Sequence, residues 1–167
     1  MENLLILGAG GFGQMIAELA AESKQYDRIA FLDDNSNHRM VVGRLEDYPR
    51  FVKSYRHALV AMGNNPLRLE YIDKLEQAGY TVPVFSFRPA FVSPSAQIGA
   101  GSFVLPGAVV NTGGVVGKGG LINCGAIVDH NAVVEEGVHV CLNAVVKAGC
   151  RVKACTKIEA GQVVERP

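Results

Sequence analysis

The stretch Val116-Gly117-Lys118-Gly119-Gly120-Leu121-Ile122-Asn123-Cys124-Gly125-Ala126-Ile127-Val128-Asp129-His130-Asn131-Ala132-Val133-Val134 decides the fold of the carboxy-terminal half. Val116, Ile122, Val128 and Val134 recur at every sixth position, and a small residue (Gly120, Ala126, Ala132) stands four places after each of the first three. Outward from here the pattern holds in both directions. Val92, Ile98, Val104 and Val110 precede it and Val140, Val146, Val152, Ile158 and Val164 follow, so thirteen consecutive sixth positions are Val or Ile. The small column runs alongside, from Ala96 and Ser102 to Ala144 and Cys150, with Gln162 its one large polar exception. A period of six matches neither a helix nor one long strand. It fits short strands joined by repeated sharp corners, the β-branched residue packing inward and the small one clearing the corner. Each buried Val or Ile contributes about 1.5–3 kcal/mol, which lets a narrow core hold together.

The first half follows a different rule. Leu4 to Gly8 reads as a buried strand, and Gly8-Ala9-Gly10-Gly11-Phe12-Gly13 satisfies G-x-G-x-x-G before an amphipathic helix that runs to about Ser23. Arg28 to Leu32 is a second strand ending in Asp33-Asp34, and His57 to Met62 a third ending in Gly63-Asn64-Asn65. Pro66 opens a helix to about Ala78, and Thr81 to Phe85 is read as a fourth strand. This gives a small Rossmann-like α/β domain over residues 1–88, followed by the repeat domain over residues 89–167. A full dinucleotide site needs two mononucleotide halves and this segment has room for one, which argues against NAD. A single half still presents backbone N–H groups and a helix N-terminus to an anion, so a nucleotide-linked ligand fits better. The alternative is that the glycines only make a tight strand-to-helix turn.

Composition narrows the function classes. Sixteen basic and sixteen acidic residues balance, and no basic tract marks a nucleic-acid partner. The start Met1-Glu2-Asn3-Leu4 lacks a basic leader and no apolar run is long enough to span a membrane, so the expectation is a cytoplasmic protein. Cys124, Cys141, Cys150 and Cys155 have no metal-ligand spacing and read as reduced thiols. Of the four histidines, His38 and His57 have no polar company of catalytic type and read as structural. His130 lies two residues past Val128, and His139 directly precedes Val140. An imidazole titrates near pH ~6.5 and is a suitable base at neutral pH. Zinc is the rival for two histidines near cysteines, but the spacing of a zinc site is missing and no metal is expected.

Taken together, Ile6-Leu7-Gly8-Ala9-Gly10-Gly11-Phe12-Gly13, Phe31-Leu32-Asp33-Asp34, Gly63-Asn64-Asn65 with Arg68, Val92-Ser93-Pro94-Ser95-Ala96, Asn123 to His130 and Gly137-Val138-His139-Val140 resemble the NeuD/PglD-type sugar O- and N-acetyltransferases over nearly the whole chain. The resemblance implies a left-handed parallel β-helix of about four coils, three hexapeptides to each triangular coil. Left-handed crossovers run against the general rule for parallel strands, so the hand rests on the resemblance. His130 and His139, nine residues apart, would then sit half a coil apart on opposite sides of one prism. A homotrimer would bring His130 of one chain beside His139 of the next, in an interfacial active site.

The same resemblance implies an acetyl-CoA-dependent acetyltransferase acting on an amino sugar, UDP-linked, or on sialic acid. His130 would be the general base, and Asn131 stands where the family carries an acidic residue. His139, Ala148 and Gly149 would contact acetyl-CoA, the last two offering backbone N–H groups to the oxyanion. Gly10, Gly11, Phe12, Asp33, Asp34, Asn64 and Asn65 would hold the sugar nucleotide. Coil stacking would put Asp129 over Lys147, placed to pair. A second reading keeps the fold as a nucleotide- or sugar-binding subunit without turnover, on the strength of Asn131 and of a repeat that stops after Val164 where the family continues.

Overall fold

The computed structural model describes residues 2–165. It divides into two compact units, Met1–Pro83 and Val84–Pro167.

In the first unit, β1 (Glu2–Leu7), β2 (Tyr26–Leu32), β3 (Val41–Gly43) and β4 (His57–Val60) form one parallel sheet in the order β3-β2-β1-β4. Helix α1 (Gly11–Glu22) connects β1 to β2, a 3-10 turn at Leu45–Asp47 and a short α2 (Tyr48–Phe51) connect β3 to β4, and α3 (Asn65–Gln77) follows β4. Leu4 to Leu7 are wholly buried, as continuous apolar runs in a parallel sheet require. The order reverses direction between β1 and β4, and the loops after these two strands flank the crevice where such sheets bind ligands.

Two details differ from the sequence reading. The edge strand Val41–Gly43 was not anticipated; it is too short to show a period. The expected fourth strand at 81–85 is absent as such: Thr81 makes one bridge to His57, while Phe85–Ser86 pairs with Phe103–Val104 and belongs to the second unit. Ser86 holds the position that Val or Ile fills in the repeats that follow, which hid this hexapeptide from the periodic pattern.

The second unit is a left-handed parallel β-helix of two-residue strands. Its first face stacks Phe85–Ser86, Phe103–Val104, Leu121–Ile122, His139–Val140 and Lys157–Ile158. The second face stacks Phe91–Val92, Val109–Val110, Ile127–Val128, Val145–Val146 and Val163–Val164, and the third Gln97–Ile98, Val115–Val116, Val133–Val134 and Arg151–Val152. The second residue of each strand points inward: Val104, Val110, Ile122, Val128, Val134, Val140 and Val146 are all 0% exposed. The small column joins them, with Ala108, Ala126, Ala132 and Ala144 equally buried. Both columns read from the sequence are therefore the core.

From Gly101 to Gly161, each corner turns through a left-handed residue at its third position. On the corner joining the second and third faces these are Gly113 (φ 66°), Asn131 (φ 56°) and Gly149 (φ 65°). Asn is the residue after Gly that best tolerates this conformation, so Asn131 replaces glycine without breaking the turn.

Candidate functional site

The catalytic candidate in the β-helix is this corner, Asp129-His130-Asn131-Ala132, between Ile127–Val128 and Val133–Val134. Backbone bonds fix it to the coils on either side: Asn131 N–H donates to Thr112 O (2.9 Å) and Gly149 N–H donates to His130 O (3.0 Å). His130 is exposed. Its Nδ1 lies 3.3 Å from the amide nitrogen of Asn131, and among the described residues Nε2 has no partner. The base candidate thus has one nitrogen held and one available. Asp129 Oδ1 accepts the His130 backbone N–H (2.7 Å) and Asn111 Nδ2 (2.9 Å). The Asn111 amide first, then the His130 N–H, hold the Asp129 carboxyl below its ordinary range.

Asp129 and Lys147 do not pair. Lys147 Nζ is bound by Glu165 one coil further on, while the Ala148 N–H faces Asp129. The Ala148 and Gly149 N–H groups expected for an oxyanion are therefore both engaged within the chain. Asp129, Lys147, Ala148 and Glu165 line a shallow concavity beside the corner.

His139 opens a strand of the first face, which lies opposite the corner that carries His130. One chain does not bring the two imidazoles together. Asn123, on the preceding coil, places its amide nitrogen 3.3 Å from His139 Nε2, and its Oδ1 accepts the Cys124 N–H (2.8 Å). The sequence reading missed Asn123 as a partner of His139; coil stacking, which puts residue 123 two places from the His139 column, was the available signal.

In the first unit the expected ligand residues converge on the loops after β1, β2 and β4, but their polar groups are unevenly free. Asp33 Oδ2 accepts the Ala9 N–H (2.7 Å), and its Oδ1 accepts the N–H groups of Asn35 and Ser36 (2.8 Å each). Partial burial would raise this carboxyl, but the three N–H groups outweigh it and hold it below the usual carboxylate range. Asp33 thus clamps the glycine loop to the loop after β2. Asp34 is exposed, accepts the Leu45 N–H (3.1 Å) and lies 3.7 Å from Arg44 Nε. Asn64 caps α3 by accepting the Leu67 N–H (3.0 Å). Asn65 is buried and accepts Arg68 Nη2 (2.9 Å), and the fully buried Arg68 also donates to Met62 O (2.8 Å).

The glycines divide by crowding. A Cβ on Gly8, whose φ is 102°, would come within 2.8 Å of Ala61 O, and one on Gly13 would collide with Gly8 O, so both are required by the chain itself. At Gly10, Gly11 and Gly63 a Cβ would meet nothing within 4 Å and φ is not positive. Gly10 is the N-cap of α1 with no side-chain bond, and Phe12 follows half-buried in the first turn.

Among the described residues no group of three or more His, Cys, Asp or Glu side chains converges as for a metal ion, all four cysteines are free, and no helix is long and apolar enough to cross a membrane.

Residues 3–75 match the family model of the PglD N-terminal domain. The acetyltransferase domain of PglB from Neisseria gonorrhoeae, solved in complex with acetyl coenzyme A, superposes with a TM-score of 0.92 at 34% identity over 97% of this chain and 81% of that one. A histidine-to-alanine mutant of GDP-perosamine N-acetyltransferase from Caulobacter crescentus, in complex with CoA and GDP-perosamine, gives 0.87 at 25% identity, covering 99% of this chain and 90% of that one. WeeI from Acinetobacter baumannii shares the fold, with a TM-score of 0.65 at 20% identity over 98% of this chain and 88% of that one. Among curated proteins no significant match is found. With the glycine loop, the hexapeptide coils and the exposed corner histidine in place, the chain belongs to the NeuD/PglD-type family of sugar acetyltransferases.

Proposed function

We propose that the protein transfers the acetyl group of acetyl-CoA to an amine or hydroxyl of a nucleotide-linked sugar, with His130 as general base at the interface of a homotrimer. One observation carries the reading: an exposed imidazole whose Nδ1 is held by Asn131, on a corner flanked by apolar outward residues. Ile127 and Val133, three places before and after His130, point outward on the two adjoining faces and are part-buried. The outward column of the second face is apolar throughout, Phe91, Val109, Ile127, Val145 and Val163, with Phe91 53% exposed. Such a ladder suits a second copy of the chain more than water. The PglB and Caulobacter complexes supply the ligand classes, acetyl-CoA and a nucleotide sugar.

For Nε2 to accept a proton, Nδ1 carries the hydrogen and Asn131 receives it through Oδ1, an amide orientation reached by a half-turn of its side chain. His130 removes a proton from the acceptor as its nitrogen or oxygen attacks the thioester carbonyl. The tetrahedral adduct then expels the thiolate of CoA, and the imidazolium returns the proton to that sulfur. His139 from the neighbouring chain, oriented by Asn123, contacts the acetyl group; Ala148 and Gly149 form a small-residue wall. Gly10, Gly11 and Phe12 offer backbone to the sugar nucleotide, since at positions 10, 11 and 63 nothing in the protein itself requires glycine. Asp34 is the acid with exposed oxygens, while Asp33, Asn64 and Asn65 shape the site from behind. The nucleotide is proposed as UDP.

Free-thiol release from acetyl-CoA, measured over UDP- and GDP-linked amino sugars and sialic acid, tests this. The expected result is acceptor-dependent release lost in His130→Ala with assembly intact. Nucleotide-sugar binding without release by any acceptor would favour the binding-subunit reading, for which Asn131 is the supporting residue.

A further inference from the structure

The residue after His130 is Asn131, whose amide orients a ring but adds no charge to balance an imidazolium. A different carboxylate lies on the other side. Asp129 accepts the His130 backbone N–H at 2.7 Å and is steadied by Asn111 Nδ2 at 2.9 Å from the coil before. The cation stacked next in its column, Lys147, is taken by Glu165. Thr112 and Ala148, stacked on either side of His130, are uncharged, so among the described residues the charged groups on this corner are Asp129, Lys147 and Glu165. Two of the three neutralise each other.

We propose that Asp129 is the positioning residue of the proton transfer: it anchors the His130 backbone and, as the one carboxylate on this corner without a cationic partner among the described residues, stabilises the imidazolium formed when His130 takes the acceptor's proton. The roles usually expected of one acid are then divided, orientation to Asn131 and charge to Asp129. The inference rests on the proposed role of His130.

The test is Asp129→Asn, which keeps the oxygen that accepts the Asn111 and His130 N–H groups, removes the charge and weakens the contact with the Ala148 N–H. In the apo protein, NMR titration of the His130 imidazole should have its midpoint moved to lower pH in Asp129→Asn, the movement shrinking at high salt because the pair is solvent-accessible. In turnover, kcat should fall roughly threefold to tenfold and the acid limb of its pH profile should move the same way, with KM for both substrates unchanged. Asn131→Gly should lower kcat without moving the limb. An unmoved imidazole midpoint in Asp129→Asn overturns the inference, as does equal loss in Asp129→Asn and Asp129→Ala with no movement, which marks a purely structural role. Because the titration needs no turnover, a moved midpoint in a protein that releases no thiol would count against the proposed function and leave standing only the charge coupling between Asp129 and His130.

Discussion

Asn131 shows how much one corner position carries. Its φ of 56° is the conformation that Gly113 and Gly149 adopt on the neighbouring coils, and its amide meets the His130 ring. Two substitutions separate these duties. Asn131→Gly keeps the turn and removes the amide; Asn131→Ala removes the amide and strains the turn by about 1 kcal/mol. Both should lower kcat by a similar factor, roughly 10-fold. Only the alanine variant should lose about 2–5 °C in Tm. A glycine variant with undiminished kcat would leave the amide without a role in the reaction. That His130 is the base candidate was legible from its place after Val128 and from the family motif. That Asn131 occupies a left-handed turn and that Lys147 turns away to Glu165 was not, because column stacking says which residues are neighbours and not which of several partners wins.

Among the elements, the strand ends of the first unit set stability against binding. Gly11 opens α1 with an ordinary helical backbone and nothing near its missing Cβ. Alanine there should stabilise the unit by about 0.4–1 kcal/mol by restricting the unfolded chain. If the sugar nucleotide lies against this backbone, the same methyl should raise KM for the acceptor several-fold and leave KM for acetyl-CoA alone. Thermal unfolding and two-substrate kinetics together check it; a variant that is more stable and unaltered in KM would remove the glycine loop from the site.

Asp33 makes the complementary case. Its three N–H bonds tie two loops together, and Asp33→Ala should cost about 2 kcal/mol. Since its folded-state carboxyl is held below the ordinary value, the stability it gives is complete above the unfolded-state value and lost as pH falls through the folded-state one. Wild type should lose stability more steeply than Asp33→Ala as the pH is lowered through that acid window, measured by denaturant unfolding at successive pH values. The sequence placed Asp33-Asp34 at the right strand end but could not rank them, because the bonds that occupy Asp33 come from Ala9, a residue of another loop. Likewise the ligand reading of Gly63-Asn64-Asn65 did not show that Asn64 also caps a helix and that Asn65 also holds the buried Arg68. The hexapeptide columns were readable almost to the residue, since a solenoid repeats one local solution, and they failed only where Ser86 breaks the column.

For the whole molecule the question is whether the site is built by one chain or by two. His130 lies on the corner between the second and third faces and His139 on the opposite face, so one chain presents half of the proposed site at each of two places. If the proposed homotrimer forms, Ile127→Asp should leave folded monomers and abolish turnover, seen by light scattering and circular dichroism. That outcome alone would show that assembly matters, not which side chains cross. Mixing is the sharper experiment. His130→Ala and His139→Ala should each be inactive, but chains denatured together in equal amounts and refolded would form trimers at random. A site then works where the chain giving the base kept His130 and its neighbour kept His139, which is about one site in four for random cyclic assembly. Recovery to roughly a quarter of wild-type turnover therefore places the two histidines on different chains, whereas a mixture as inactive as its components would put both contributions in one chain and contradict the interfacial site.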